Sequence, residues 1–363
     1  MACINNADIE KLLQTIIDPN VETDLMTAKS VKAINIDDNN VAIKLELGYP
    51  AQSYLNELKT AVQQQLANLP GIGAVSVEIT VNIISHAVQQ ALKPLPNVKN
   101  IIAVASGKGG VGKSTTTVNL ALALAEEGAN VGILDADIYG PSIPTMLGLS
   151  GYPASNDGKT MQPKVAYGLQ SISIGYLIEQ DQPMIWRGPM VTNALQQLLN
   201  DTNWSAIDYL IVDLPPGTGD IQLTLAQQIP VSGAVIVTTP QDIALIDAQR
   251  GLGMFEKVNV PVLGIVENMS VHICSQCGHE EAIFGSGGGE AMAEKNNIGL
   301  LGALPLDINI RKFADAGKPT VIAEPDSRAA CIYKAIARKM AAKLAMKAKD
   351  YKGKFPNIVI QNN

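Results

Sequence analysis

Along the first 85 residues the hydrophobic positions switch between two periods. Val41, Ile43, Leu45 and Leu47 alternate with polar neighbours, as do Val75, Val77, Ile79 and Val81, which predicts two half-buried strands. Asp37 to Asn40 predict a turn ahead of the first strand. Between the two, Leu55, Leu58, Val62, Leu66 and Leu69 recur at three and four residues, the stripe of an amphipathic helix. Residues 1–90 therefore read as a small α+β domain.

Pro94 and Pro96 then interrupt both helix and ladder, and residues 91–99 are expected to be a linker. Beyond it the apolar pattern becomes continuous: Ile101 to Ala105, Val131 to Leu134, Tyr209 to Val212, Ala234 to Val237 and Val262 to Val266 are unbroken apolar runs separated by helix-compatible stretches. Such runs predict a mostly parallel sheet with helices on both faces, here over residues 100–350, followed by a tail at 351–363. No fixed-period repeat is present.

Composition narrows the classes. Apolar residues make up 47% and charged residues 17%, so most of the chain must pack. A net charge of −7 with 4% aromatic residues leaves neither a global basic field nor a stacking surface, and no nucleic-acid partner is expected. No apolar run approaches the ~18 residues needed to span a bilayer, and no basic stretch precedes an apolar one at the N-terminus. The expected location is cytoplasmic.

The most informative chemistry is Gly107-Lys-Gly-Gly-Val-Gly-Lys-Ser114, which fits G-x-x-x-x-G-K-[ST] between a predicted strand and a predicted helix. Glycines in such a P-loop let backbone N–H groups turn around phosphate oxygens, while Lys113 and Ser114 can reach phosphate and Mg²⁺. Asp135-Ala-Asp137 and Asp213 close the next predicted strands, where ligands gather in open α/β folds. Asp213 opens the segment Leu-Pro-Pro-Gly-Thr-Gly-Asp220, in which a carboxylate can hold a Mg²⁺-bound water and a glycine-rich loop can respond to the γ-phosphate.

Of four cysteines, Cys274 and Cys277 form a C-x-x-C pair flanked by His272 and His279. Three chemistries fit the pair: a zinc site within one chain, a dithiol redox couple, or two thiolates from each of two chains completing the four that an iron-sulfur cluster needs. Cys3 and Cys331 read as incidental thiols, His86 as structural, and Gly285-Ser-Gly-Gly-Gly289 as a turn into a helix. Eight Lys or Arg against one Asp between Lys334 and Lys354 put +7 there and leave −14 on the remainder. Ile332, Ile336, Met340 and Leu344 repeat every four residues, and a narrow stripe of this kind predicts a helix docked on the sheet with a solvated basic face rather than a membrane-surface helix.

Together these residues resemble the Mrp/ApbC family of iron-sulfur cluster carrier ATPases, within the deviant Walker A class that also contains MinD. The resemblance covers nearly the whole chain. Lys108, directly after the first motif glycine, matches the signature lysine of that class, which reaches the partner subunit's nucleotide. Leu134-Asp-Ala-Asp-Ile-Tyr-Gly-Pro141 is similar to switch I, residues 213–220 to switch II, and Asn268 to the residue that reads adenine. Residues 1–90 resemble the small iron-sulfur assembly domain often fused in front, although Leu47-Gly-Tyr-Pro-Ala-Gln52 lacks the reactive cysteine of some stand-alone versions.

The resemblance implies a homodimeric ATPase using hydrolysis as a switch, with a [4Fe-4S] cluster bridged by Cys274 and Cys277 of two chains, loaded by an upstream donor and passed to apo-proteins. It implies a nucleotide set of Gly107, Lys108, Gly109, Gly110, Val111, Gly112, Lys113, Ser114, Thr115 and Asn268, Mg²⁺ at Ser114, and catalytic work by Lys108, Lys113, Asp137 and Asp213. Two alternatives are a MinD/ParA-type positioning ATPase acting on membrane or DNA, and a zinc-stabilised nucleotide-dependent adaptor.

Overall fold

The structure is a computed structural model that describes residues 5–89, 92–178, 188–274 and 276–347. Helix α1 (Asn6–Leu13) is capped by the Asn5 side chain, which accepts from the Asp8 N–H, and buries Ile9 and Leu13. A short ribbon, β1 (Ile17–Asp18) with β2 (Thr23–Asp24), leads to β3 (Val31–Asp37), β4 (Asn40–Leu47), α2 (Leu55–Ala67) and β5 (Val75–Val81). Strand β4 buries Val41, Ile43, Leu45 and Leu47 as its alternation predicts. It pairs antiparallel with β3 and, through the α2 crossover, parallel with β5. The turn at Asp37 to Asn40 thus joins two strands. Strand β3 escapes a period-two reading because its register shifts between Val31 and Ala33.

The second unit runs β6 (Val98–Ala105), α3 (Lys113–Glu126), β7 (Val131–Asp135), α4 (Ile143–Met146), β8 (Lys164–Ala166), β9 (Leu169–Ser173) and a single 3₁₀ turn. There follow α5 (Gly188–Asn200), β10 (Ile207–Asp213), α6 (Asp220–Gln228), β11 (Gly233–Thr238), α7 (Asp242–Lys257) and β12 (Val262–Glu267). The chain then passes through β13 (His272–Ile273), β14 (Glu280–Glu281), α8 (Gly288–Lys295), β15 (Leu300–Ala303), α9 (Ile308–Asp315), α10 (Thr320–Ala323) and α11 (Arg328–Ala345).

Eight strands form one sheet in the order β15-β12-β11-β6-β10-β7-β9-β8, parallel throughout except the β8–β9 edge. Strand β6 begins inside the expected 91–99 linker: Val98 is already in register with Ile207, so two of those residues belong to the sheet. The expected tail at 351–363 lies outside the described residues.

Alternate residues of β6 serve opposite faces. Ile102 and Val104 join the core under α3 and α11, whereas Ile101, Ala103 and Ala105 join the core under α5, α6 and α7. The first of these cores is continuous with the N-terminal unit, reaching Ile9, Leu45 and Leu58.

Helix α11 is the element that fixes the two units. It buries Ala330, Tyr333, Ile336, Ala337, Met340 and Ala341, and packs along α3. Its basic face is not simply solvated, as the charge run suggests: Arg338 pairs with Glu127 at the end of α3, and Lys339 and Lys343 pair with Glu22 of the N-terminal unit. Partners more than 200 residues away in sequence neutralise charges that look unpaired locally.

Candidate functional site

The loop from Ser106 to Gly112 connects the central strand β6 to α3. Gly110 and Gly112 adopt φ of +82° and +81°, open only to glycine at low strain. A Cβ on Gly107 would lie 2.2 Å from the Asp247 carbonyl carbon, and one on Gly112 2.2 Å from the Asn268 amide nitrogen. Nothing lies within 4 Å of the Cβ position at Gly110, so the loop is clamped at both ends and open in the middle. Gly112, the N-cap of helix α3, offers no side-chain cap, which leaves the helix's first amides and positive dipole end toward that opening.

Three carboxylates close the floor. Asp213 and Asp135 end neighbouring strands in register, and both are fully buried. Lys113, 6% exposed, places its Nζ 2.7 Å from Asp213 Oδ1 and 3.5 Å from Asp137 Oδ2. Ser114 Oγ donates to Asp213 Oδ2 at 2.5 Å and Thr117 Oγ1 to Asp213 Oδ1 at 2.8 Å.

Asp135 plays a different part from Asp137. It accepts from Ser173 Oγ (2.9 Å), the Asp137 N–H (3.2 Å) and the Ile143 N–H (3.3 Å), so it holds the following loop rather than facing the opening. Burial, reinforced by the nearby Asp213 charge, pushes the Asp135 carboxyl well above the usual carboxylate range. Burial also raises Asp137, against the opposing pull of the Lys113 ammonium.

The other expected nucleotide residues surround this floor. Gly109 and Gly110 are exposed, Val111 is buried, and Thr115 is half-buried on the first turn of α3. Lys108 is half-buried, and among the described residues no carboxylate lies within ion-pair distance of it. Asn268, at the end of β12, donates its amide to the Val111 carbonyl at 2.9 Å and so braces the loop. On the other side, the Gly217 N–H donates to the Ser106 carbonyl (2.9 Å), tying the glycine-rich segment after β10 to the same loop.

Cys274 and Cys277 sit at the tip of the β13–β14 hairpin, six to nine residues beyond Asn268. The turn is closed by the Cys274 N–H donating to the His279 carbonyl (2.9 Å) and the Gly278 N–H to the Cys274 carbonyl (2.9 Å). The backbone N–H groups of Gln276 and Cys277 point at the Cys274 sulfur and hold its thiol below the usual range, which favours the thiolate that binds metals. Cys277 is exposed. His272 turns its Nδ1 to the Leu306 carbonyl, and among the described residues no three His, Cys, Asp or Glu side chains gather as a metal site. The four-ligand zinc arrangement within one chain is therefore not assembled. Cys331 is exposed on α11, Cys3 lies outside the described residues, and His86 is buried with its Nδ1 2.9 Å from Asn100 Oδ1.

Comparison with known proteins decides the family. Residues 97–341 match the NUBPL iron-transfer P-loop NTPases, and residues 6–79 match the iron-sulfur cluster assembly proteins. The chain belongs to this family of iron-transfer P-loop NTPases. It is 54% identical over 327 residues to the iron-sulfur cluster carrier protein of Escherichia coli K12, covering 90% of this chain and 89% of that one. It is 51% identical over 254 residues to the mouse iron-sulfur cluster transfer protein NUBPL, covering 69% and 80%.

Among solved structures it is similar to a nucleotide-binding protein of Archaeoglobus fulgidus in complex with ADP (38% identity, 64% and 90% coverage, TM-score 0.56). The Pyrococcus furiosus cell division ATPase MinD shares the fold at 22% identity, with 66% and 98% coverage and a TM-score of 0.50. This family member is a P-loop ATPase with a small N-terminal domain, and its carrier relatives tie it to iron-sulfur clusters.

Thr117 and Ser173, which orient two of the three carboxylates, belong to no motif of the sequence. The Thr117 signal was its place one turn after Lys113 on the same helix face.

Proposed function

We propose that this protein is an ATP-hydrolysing carrier that holds a [4Fe-4S] cluster as cargo between two copies of the chain, receives it from an upstream donor and hands it to apo-proteins in the cytoplasm. The observation that carries the reading is the hairpin tip. It presents two thiols, one exposed, with no third ligand from its own chain among the described residues, and a two-fold pair supplies the four thiolates a cluster takes.

The nucleotide would lie in the open loop over Gly109 and Gly110, with its phosphates on the α3 amides. Ser114 Oγ and Asp213 Oδ2 present hard oxygen donors 2.5 Å apart at a helix N-terminus, a set that suits Mg²⁺. When bound there, Mg²⁺ neutralises charge on the β- and γ-phosphate oxygens. Lys113 already lies in the opening as counter-ion to Asp213 and Asp137; phosphate offers it a stronger partner, and its transfer frees Asp137 to orient a water for attack. Lys108, with no carboxylate at hand among the described residues of its own chain, would act on the partner's nucleotide. Asn268 would exchange its bond to Val111 for the base. No nucleic-acid partner is proposed, and no helix among the described residues is long and apolar enough to cross a membrane.

Anaerobic reconstitution tests the reading, with iron and sulfide counted per chain and the oligomer sized. Wild type and the Cys331→Ser variant should load one four-iron cluster per two chains, whereas Cys274→Ser and Cys277→Ser should load none and still bind ATP. One cluster per chain, or zinc at one per chain with no iron, would overturn it.

A further inference from the structure

We infer that Thr117 is a positioning residue of the nucleotide site: it is the donor that stays with Asp213 when Lys113 and Ser114 turn to phosphate and metal. The inference rests on the reading of the loop as a Mg²⁺–nucleotide site and adds a residue outside its motif.

Asp213 is fully buried and is held by three donors: the Lys113 ammonium at 2.7 Å, Ser114 Oγ at 2.5 Å and Thr117 Oγ1 at 2.8 Å. Two of these are the motif residues whose work lies in the opening. A buried carboxylate that loses its ammonium partner is strongly disfavoured unless other donors remain. Nucleotide binding therefore has to strip Asp213 of its counter-charge, and the step is easier the better the carboxylate is held by groups that do not move.

Thr117 is that group. It is fully buried on α3, one turn beyond Lys113, with its Oγ1 also 2.9 Å from the Lys113 carbonyl. The hydroxyl has one proton, and the carboxylate is the stronger acceptor, so the proton goes to Asp213 Oδ1. β-Branching restricts the side chain to few rotamers in a helix, and the carbonyl one turn back fixes the oxygen between its two neighbours. Ser114, in contrast, is half-buried at the mouth of the site.

The test compares full-length wild type, Thr117→Val and Thr117→Ser by calorimetric titration with ADP, in chelator and at saturating Mg²⁺, alongside thermal melts. Removing one hydrogen bond to a charged group should weaken ADP binding in chelator by roughly 10-fold in Thr117→Val. The loss should be clearly smaller at saturating Mg²⁺, where the metal replaces the missing counter-charge, and Thr117→Ser should restore wild-type affinity in both conditions. Thr117→Ala gives the same comparison should the valine chain not fold. Equal affinity of wild type and the hydroxyl-less variant would overturn the inference, as would an equal loss in both conditions or failure of serine to rescue. If wild type itself binds no ADP, it is the reading of the loop as a nucleotide site that fails.

Discussion

Replacing Arg338 by Met should loosen the N-terminal unit from the ATPase unit, and the structure sets the size of the effect. Arg338 projects from α11 onto Glu127, the C-cap of α3, and donates also to Ser53 Oγ at 2.8 Å. The Glu127 side chain is 0% exposed and that of Arg338 16%, so the pair is buried and screening is weak. Removing one partner of such a pair typically costs about 3–5 kcal/mol because a charge is stranded. Glu127 keeps two donors, the Ser53 N–H at 2.9 Å and Ser53 Oγ at 2.5 Å, which brings the expected loss to about 2–3 kcal/mol. For a cooperative unit of roughly 250 residues that corresponds to a melting shift of about 4–6 °C. Calorimetric melts of Arg338→Met, Glu127→Gln and the double variant measure it. The double variant should be more stable than Arg338→Met, since the neutral amide no longer needs a counter-ion. A melting temperature within about 1 °C of wild type in Arg338→Met, or strictly additive effects in the cycle, would refute the reasoning.

Two further outcomes are expected. The Asp137 carboxyl is raised above the ordinary aspartate value of 3.8, first by burial, so the native state holds that proton more tightly than the unfolded chain; the stability it contributes is present at low pH and is lost as pH rises through the raised value. Asp137→Asn should therefore melt at or above wild type at pH 7 without nucleotide, with the difference shrinking toward pH 4, and should not hydrolyse ATP; a variant less stable at pH 7 than at pH 4 relative to wild type would contradict this. Mixing Lys108→Ala with Asp137→Ala subunits should recover activity if the lysine acts across the dimer, because each heterodimer then has one site with Asp137 intact and the partner's Lys108 intact; heterodimers shown to form yet inactive would refute it.

The sheet was legible because its strands are buried on both faces, so that β6, β7, β10, β11 and β12 each announce themselves as apolar runs. The edge strands β8 and β15 did not, being three and four residues long, and neither did β9, whose Leu169 to Ser173 mixes polar with apolar positions. The phosphate loop was legible for a local reason: its glycines carry the backbone angles, and the angles carry the function. Asp135 and Asp137 share a motif of which the resemblance singles out Asp137; their different surroundings come from the fold, Asp135 facing the loop interior and Asp137 facing Lys113. The basic helix α11 was misread in one respect, because Glu22 and Glu127 become its counter-ions only after the chain has folded back over it. Charge runs are weak predictors of a solvated face whenever a second unit packs on the helix.

These contacts place the cysteine hairpin, the phosphate loop and the N-terminal unit on one connected set of elements. The end of β12 touches the loop through Asn268, and the same segment is laddered onto the chain after β15, the Ser270 N–H donating to the Leu304 carbonyl and the Leu306 N–H to the Val271 carbonyl, immediately before the hairpin begins. Arg328 at the start of α11 pairs with Glu280 of the hairpin, the middle of α11 packs on α3, and its later turns grip Glu127 and Glu22. The links differ in kind. Apolar packing between α11 and α3 resists deformation, whereas the Asn268 and Gly217 bonds are single polar contacts that exchange partners at small free-energy cost. The rigid α3–α11 pair thus joins the loop that leads into α3 to the thiol-bearing hairpin, through Arg328 and Glu280, and to the N-terminal unit, through Arg338, Lys343 and Glu22.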